Sequence, residues 1–146
     1  MVVVRFRTKL SIYPMETTTT SRHPLVPKIV SGVIALLFLL FAAFQYNDPD
    51  SFSWMFLYGY VALMAGIAVF GKYNLALLVP GIAIFALYFV YLLPSVVEWI
   101  TSDDSLITGM SPDRMYVERS REAFGLLMGL AGLLFIFFNR HQIASK

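Results

Sequence analysis

A chain of 146 residues in which 58% are hydrophobic, 16% aromatic and only 14% charged is too apolar for an ordinary soluble domain. The absence of cysteine excludes disulfides, thiolate catalysis and cysteine-bound metals, which leaves oxygen atoms and two histidines as metal ligands. The formal net charge is only +2, but the charges are segregated along the chain, and we expect an integral membrane protein.

Four long segments of the chain contain no Asp, Glu, Lys or Arg. They are residues 29–47, 51–71, 73–97 and 123–139. Each is close to the roughly 20 residues that a helix needs to cross a bilayer. Their apolar runs are continuous, whereas barrel strands alternate apolar and polar residues, and spanning helices satisfy their own backbone hydrogen bonds. The sequence therefore predicts an all-α fold, an antiparallel bundle of four transmembrane helices.

The chain begins with a polar and basic segment, residues 1–26, which we interpret as a disordered tail. Its threonine run at positions 17–20 and its prolines disfavour a helix. Met15 is an alternative start of translation. A secretory signal peptide over residues 22–46 is disfavoured, because the apolar stretch is longer than the apolar region of a typical signal peptide.

The membrane domain is predicted to occupy residues 27–139, followed by a short tail at residues 140–146. The predicted spans are residues 27–46, 52–71, 74–97 and 119–139. The third uncharged segment has 25 residues, about 37 Å of helix, so we expect it to tilt or to bend at Pro80 or Pro94.

A very short polar segment connects the first two spans. Asn47 and Pro49 end the first helix, because proline cannot continue the hydrogen-bond pattern. Asp50, Ser51 or Ser53 then caps the second helix, so the two spans are predicted to form a tight antiparallel hairpin.

The second helix carries aromatic and small residues at helical spacing. We interpret Trp54 and Tyr58 as aromatic residues at the membrane interface, in preference to a role in a binding site. Gly59 and Gly66 lie on one face and would allow a neighbouring helix to approach closely. Ser111, Pro112 and Asp113 form a typical helix start, so the fourth helix is predicted to begin near residue 111.

Eight of the eleven Lys and Arg residues fall on one side of the predicted membrane domain. They are Arg5, Arg7, Lys9, Arg22, Lys28, Lys72, Arg140 and Lys146. Because positive residues are enriched on the cytoplasmic side, both the N and the C terminus are expected there, with residues 48–51 and 98–122 outside. Eight of the nine acidic residues then lie outside. We expect the plasma membrane or the bacterial inner membrane as the location.

Six residues of the fourth helix recur at helical spacing and share one stripe. They are Glu118, Arg121, Glu122, Gly125, Gly129 and Gly132. The pair Gly125 and Gly129 is a small-xxx-small motif for helix packing, so this stripe is predicted to face the other helices. Its charged part precedes 17 uncharged residues, about 26 Å of helix, which places the charges at the membrane edge.

Ionisable groups at this depth need partners, and the end of the first helix supplies polar groups on the same side. They are Gln45, Asn47, Asp48 and Asp50. One interpretation is structural: Arg121 contacts this turn, pairs with Asp48 or Glu122, and ties the first hairpin to the fourth helix. A second is a ligand site, in which Asp48 and Glu122 bind Mg²⁺ or Ca²⁺, or Arg121 binds a phosphate or carboxylate. Catalysis is the third.

The first polar motif consists of Gln45, Asn47, Asp48, Pro49 and Asp50, with Trp54 and Tyr58 just after it. The second opens the last helix with Glu118, Arg121, Glu122 and Gly125. Together these motifs resemble the transmembrane protein 220 family. The similarity covers roughly residues 30–138, although the third helix matches in hydrophobicity only. It implies a small four-helix membrane protein and brings no reaction with it.

These observations predict a multi-pass membrane protein with a binding or structural role centred on a polar site at its outer face. The candidate site residues are Gln45, Asn47, Asp48, Asp50, Trp54, Tyr58, Glu118, Arg121 and Glu122. The alternative is a small membrane enzyme that uses the same carboxylates, alone or with a metal ion, on a lipid or isoprenoid headgroup. Besides the lipid bilayer, an anionic small ligand, a divalent cation and a homo-oligomer are left open as partners. No cofactor and no nucleic acid is expected.

Overall fold

The computed structural model describes residues 25–47, 50–107 and 111–145. Within these ranges all regular secondary structure is helical, which confirms the all-α prediction. Four long helices form an antiparallel bundle, and each is long and apolar enough to cross a membrane. The prediction of a disordered tail falls almost wholly outside the described residues, as do Met15, Asp48 and Pro49.

The helices are α1 (Leu25–Phe44), α2 (Ser51–Val69), α3 (Leu75–Thr101) and α4 (Met115–Ala144). A 3₁₀ turn at Gln45–Asn47 continues α1, and another at Pro112–Arg114 precedes α4. The helix boundaries differ from the predicted spans most at the ends of α3 and α4. There, α3 continues to Thr101, four residues past residue 97, and α4 continues to Ala144, five residues past residue 139. At the other end of the chain, α1 begins at Leu25, inside the predicted tail.

The C-terminal extension of α4 is held in place by α1 and by the turn between α2 and α3. The ammonium of Lys28 donates a hydrogen bond of 3.2 Å to the carbonyl oxygen of Ser145, where a cation also interacts favourably with the negative helix end. Ile143 is fully buried, and Gly71, with a φ of 74°, lies against its carbonyl oxygen. Residues 140–144, which were predicted to follow the membrane domain as a tail, are therefore helical, and Ile143 among them is packed.

Asp50 stands at the N-cap position of α2, as predicted, but its side chain does not cap the helix. Its backbone carbonyl oxygen accepts a hydrogen bond of 3.0 Å from the N–H of Ser53. The carboxylate instead accepts a hydrogen bond from the indole N–H of Trp54, one turn further along α2. The acidic group is thus fixed beside an aromatic residue and away from the free N–H groups of the helix start.

The two prolines of α3 do not interrupt the helix, which continues through Pro80 and Pro94. The hydroxyl of Tyr60 on α2 donates a hydrogen bond of 2.6 Å to the carbonyl oxygen of Leu77, in the turn that precedes Pro80. Gly81 leaves the space that the Tyr60 ring occupies. Lipid cannot form hydrogen bonds with polar groups. The Tyr60 hydroxyl and the Leu77 carbonyl oxygen instead bond to each other, and this contact joins α2 to α3.

The bundle is built around α4. The first two helices pack mainly on each other and α3 packs mainly on α4, while α4 also contacts α1 and α2. The inward face of α4 carries the buried glycines Gly125, Gly129 and Gly132. Tyr58 packs over Gly125 and Phe85 packs over Gly129, each where a side chain on α4 would collide with it. Small residues let these helices approach closely, which matters because lipid provides no hydrophobic force between helices.

The outward surface of the bundle is covered by large apolar side chains, as contact with lipid requires. On this surface an apolar groove of about 510 Å³ runs between α1 and α2, and Gly59 and Gly66 contribute to its lining. No described atom lies within 4 Å of the place where a Cβ would stand on either glycine. The close helix neighbour predicted for these two glycines is therefore not found among the described residues.

The two ends of the bundle differ in what they contain. The turn end carries the α1–α2 connection and the α3–α4 connection. The terminal end carries the start of α1, the α2–α3 turn and the end of α4, and it is closed by the contacts of Lys28, Gly71 and Ile143.

Candidate functional site

A recess of about 220 Å³ opens at the turn end of the bundle. Seven residues line it, and all of them belong to the set predicted from the sequence: Gln45, Asp50, Trp54, Tyr58, Glu118, Arg121 and Glu122. The first four come from the α1–α2 connection and the start of α2, and the last three come from the start of α4. We use "the recess" below for the space that these seven residues enclose.

One wall of the recess is formed by the start of α2. Asp50 and Trp54 are four residues apart, so they lie one above the other on the helix surface. The Trp54 indole N–H donates a hydrogen bond of 2.8 Å to Asp50 Oδ2. The Trp54 ring stacks on Tyr88 of α3, with ring centroids 5.9 Å apart and planes 19° apart. These contacts fix the orientation of both the acid and the indole.

Tyr58 lies one turn below Trp54 and contributes to the same wall. Its ring contacts Phe38 and Phe41 of α1, at centroid distances of 5.8 Å and 6.0 Å. Its hydroxyl occupies the space over Gly125 of α4 that a Cβ would fill. Because α4 has a glycine at this position, the tyrosine reaches from α2 across to α4 just beneath the acidic residues.

The opposite wall is formed by the first turns of α4. Glu118 and Glu122, four residues apart, are half-buried, whereas Arg121 is exposed at the rim. The carboxylate of Glu122 is in the field of Asp50 and Glu118, and the Trp54 indole N–H also faces it. Arg119, which does not line the recess, supplies an opposing positive charge nearby. The recess is therefore predominantly acidic, with one cation at its edge.

The interpretation of Trp54 and Tyr58 as interfacial aromatic residues is wrong. Trp54 is only 3% exposed and Tyr58 only 6%, so neither contacts lipid headgroups as a belt residue would. Trp54 is covered by Tyr88 of α3, and Tyr58 lies between two phenylalanine rings of α1 and Gly125 of α4. The sequence did not reveal Tyr88 as the ring that stacks on Trp54, although its place in the turn-end half of α3 was a usable signal.

Arg121 was predicted to pair with Glu122 or with Asp48. The described residues contain one ion pair within 4.0 Å, between Arg114 and Asp104 at 3.5 Å. Arg121 therefore does not pair with Glu122. Neighbouring positions on a helix do not face each other, which explains this result. Pairing with Asp48 stays a prediction, because Asp48 lies outside the described residues. Asn47 is exposed and does not line the recess.

A polar network beside the recess fixes the connection between α3 and α4. The hydroxyl of Tyr116 donates a hydrogen bond to the carboxylate of Asp104, which also forms the ion pair with Arg114. The Trp99 indole N–H donates a hydrogen bond of 2.9 Å to the backbone carbonyl oxygen of Asp104. These contacts hold the start of α4 against the end of α3 and so set the position of the acidic wall.

Metal binding was one of the predicted roles of the acidic residues. Within residues 25–47, 50–107 and 111–145, no three Asp, Glu or His side chains are close enough together to hold a metal ion. Of the two candidate metal ligands, Glu122 lines the recess, whereas Asp48 is outside those ranges. The metal hypothesis therefore stays a prediction that depends on Asp48.

Four antiparallel helices that are each able to cross a membrane define a multi-pass integral membrane protein. A family model described as "Transmembrane family 220, helix" matches residues 37–138, which include every residue of the recess. The chain belongs to this family, and the resemblance inferred from the two polar motifs is confirmed. No match was found among curated proteins or among solved structures.

Proposed function

We propose that the protein is a binding protein of the membrane surface, and that the recess binds a positively charged group of a small ligand. The observation that carries this proposal is the charge of the recess: three acidic residues line it, against one arginine at the rim. Glu118 and Glu122 are half-buried and Asp50 is exposed. Neighbouring carboxylates at the edge of a bilayer repel one another and are costly unless a cation accompanies them. A bound cation would relieve this repulsion.

A purely structural role is less well supported by the contacts. In a structural salt-bridge network, Arg121 would neutralise one of the acids, yet the described part of the chain contains no carboxylate within 4.0 Å of it. The rigid aromatic wall of Trp54 and Tyr58 also supports binding, because a site held by packed side chains loses little freedom when a ligand enters.

Thermal unfolding in a maltoside detergent tests the proposal. Tetramethylammonium, Mg²⁺ and Ca²⁺ are compared with NaCl at equal ionic strength, since a ligand that binds only the folded state stabilises it. At least one of these cations should raise the Tm of the parent protein, and Glu122→Gln should abolish the effect. Glu98→Gln, which changes an exposed acid outside the recess, is the matched control. If none of the cations exceeds NaCl, the proposal fails.

The alternative function is an enzyme that acts on a lipid or isoprenoid headgroup, with Glu118 and Glu122 as acid–base groups or metal ligands. The observation in its favour is that a recess does reach these carboxylates at the membrane edge. Incubation of the purified protein with phospholipids and isoprenoid phosphates, followed by mass spectrometry, tests it. A headgroup product that forms with the parent protein and not with Glu122→Gln would establish the enzyme in place of the binding protein.

The orientation of the bundle is also a proposal. The terminal end, with Lys28, Lys72 and Arg140, is proposed to face the cytoplasm, and the recess the outside of the plasma membrane or bacterial inner membrane. Because the chain lacks cysteine, Lys72→Cys and Asp103→Cys provide single labelling sites at opposite ends. A membrane-impermeant thiol reagent should label position 103 in intact cells and leave position 72 unlabelled. The reverse pattern would invert the orientation.

A further inference from the structure

We infer that the recess binds a zwitterionic group in which an ammonium is linked to a phosphate. The ammonium lies among Asp50, Glu118 and Glu122, and the phosphate binds Arg121 at the rim. This inference rests on the proposed binding of a cation and specifies the ligand that carries it. Four features of the recess support it: its size, the spacing of its acids, the position of its arginine and its level in the membrane.

The size of the recess suits a group of several atoms. Its volume of about 220 Å³ equals that of roughly seven water molecules at about 30 Å³ each. A single metal ion would leave most of this space unfilled. An ethanolamine or choline group, with its attached phosphate at the opening, fills a space of this order.

The spacing of the acids favours an ammonium over a metal ion. A divalent cation needs several oxygen atoms that converge within about 2.0–2.6 Å of one point. Asp50, Glu118 and Glu122 line the same recess, but no three acidic side chains of the described ranges converge in this way. An ammonium spreads its charge over several N–H or methyl groups and is satisfied by carboxylates and aromatic rings around it.

The position of Arg121 supplies the anionic half of the ligand site. Its side chain is exposed at the rim, and no carboxylate within the described residues lies within 4.0 Å of it. The planar guanidinium donates two parallel hydrogen bonds to phosphate, a geometry that lysine cannot provide. A cation-binding interior with an arginine at the opening matches a molecule whose two charges have opposite signs.

The recess also lies at the level where such groups are abundant. Glu122 immediately precedes the 17 uncharged residues 123–139 of α4. These residues cover about 26 Å of the hydrocarbon core, so the recess opens into the headgroup layer. The ligand is therefore either the headgroup of a membrane lipid or a free phosphodiester of the same chemistry, such as a glycerophosphodiester.

Binding measurements with matched ligands test the inference. The protein is purified in maltoside, because phosphocholine detergents would occupy the recess. Glycerophosphocholine and glycerophosphoethanolamine are compared with tetramethylammonium and inorganic phosphate by the shift in Tm and by calorimetry. The zwitterions should bind about tenfold more tightly than tetramethylammonium, the size expected of charge-assisted hydrogen bonds to the phosphate.

Two arginines on the same helix separate a specific contact from a general effect of charge. Arg121→Ala should reduce zwitterion affinity to that of tetramethylammonium, whereas Arg119→Ala, outside the recess, should leave it within about twofold. Glu122→Gln should weaken both kinds of ligand. If tetramethylammonium binds as tightly as the zwitterions, or if both arginine variants lose affinity equally, the inference is overturned and the proposed cation binding stands. If no cationic ligand binds, both fail.

Native mass spectrometry distinguishes the two sources of the ligand. Parent and Arg121→Ala proteins are released from nanodiscs that contain equal amounts of phosphatidylethanolamine and phosphatidylglycerol. Selective retention of phosphatidylethanolamine by the parent alone supports a lipid headgroup. Tight binding of the glycerophosphodiesters without a retained lipid supports a free ligand. Selective retention of phosphatidylglycerol, which carries no ammonium, would overturn the inference.

Discussion

The terminal end and the turn end of the bundle use charge in opposite ways. At the terminal end, Lys28 binds the backbone carbonyl oxygen of Ser145, the C-cap residue of α4, and the fully buried Ile143 closes the bundle beneath it. At the turn end, Asp50, Glu118 and Glu122 surround an open recess, and the adjacent Arg121 pairs with none of them. The terminal end thus satisfies its cation with a backbone contact, whereas these three acids of the turn end have no cationic side chain within 4.0 Å among the described residues.

The largest expected effect on stability is at the terminal end. Ile143→Ala removes a fully buried side chain, and large-to-small changes of this kind typically destabilise by about 2–5 kcal/mol. Thermal or denaturant unfolding in detergent measures the effect. Leu36→Ala, on the lipid-facing surface, is the control and should change the free energy of unfolding by less than about 0.5 kcal/mol. If Ile143→Ala and Leu36→Ala lowered the free energy of unfolding equally, the terminal end would not be a special source of stability.

The next effect concerns the layer just beneath the recess. In Gly125→Ala, the new methyl group takes the space of the Tyr58 hydroxyl, so we expect a destabilisation of about 1–3 kcal/mol from overpacking. Gly59→Ala meets no described atom within 4 Å and should stabilise α2 by up to about 1 kcal/mol. Opposite signs of the two changes in Tm would support this prediction. A neutral Gly125→Ala would show that Tyr58 can move away without loss.

A smaller effect is expected from the cation that caps α4. Lys28→Ala removes the hydrogen bond to Ser145 and the interaction with the helix end, which together contribute about 0.3–1 kcal/mol at an exposed site. Hydrogen exchange of the last turn of α4, measured by mass spectrometry, should become faster. Lys72→Ala, an exposed lysine in the α2–α3 turn, serves as the control and should leave this exchange unchanged.

The smallest effect on stability is expected in the recess itself. Glu122→Gln removes one of three neighbouring negative charges and keeps the shape of the side chain, so the free energy of unfolding should change by less than about 0.5 kcal/mol or increase. Unfolding at pH 8 and low ionic strength measures this effect. A loss of more than about 2 kcal/mol would instead identify Glu122 as one partner of a buried ion pair.

Much of the architecture could be predicted because a bilayer imposes simple demands on composition. The four uncharged segments gave the four helices, and the two polar motifs supplied every residue that lines the recess. Polar and charged residues at the end of one helix and the start of another can be recognised by residue type, because the segments beside them are uncharged. Charge placed beside long apolar segments is rare enough to mark a site of interest.

The errors arose where a neighbour in the fold decides the outcome. Trp54 was assigned to the membrane interface, but its burial depends on Tyr88 of α3, which local sequence does not bring near it. Asp50 was one of three residues expected to cap α2, but its carboxylate accepts a hydrogen bond from the Trp54 indole four residues later. The fourth span was predicted to end at residue 139 with its uncharged segment, whereas the helix continues to Ala144 and Lys28 binds the carbonyl oxygen of the next residue.

The central position of α4 has a consequence for how the protein is made. During synthesis α4 leaves the ribosome after α1, α2 and α3, yet it provides one complete wall of the recess and is the helix on which α3 mainly packs. A chain that has inserted only α1, α2 and α3 therefore presents Asp50 and Trp54 without their counterparts. The recess is therefore complete only once α4 has packed against the other three helices.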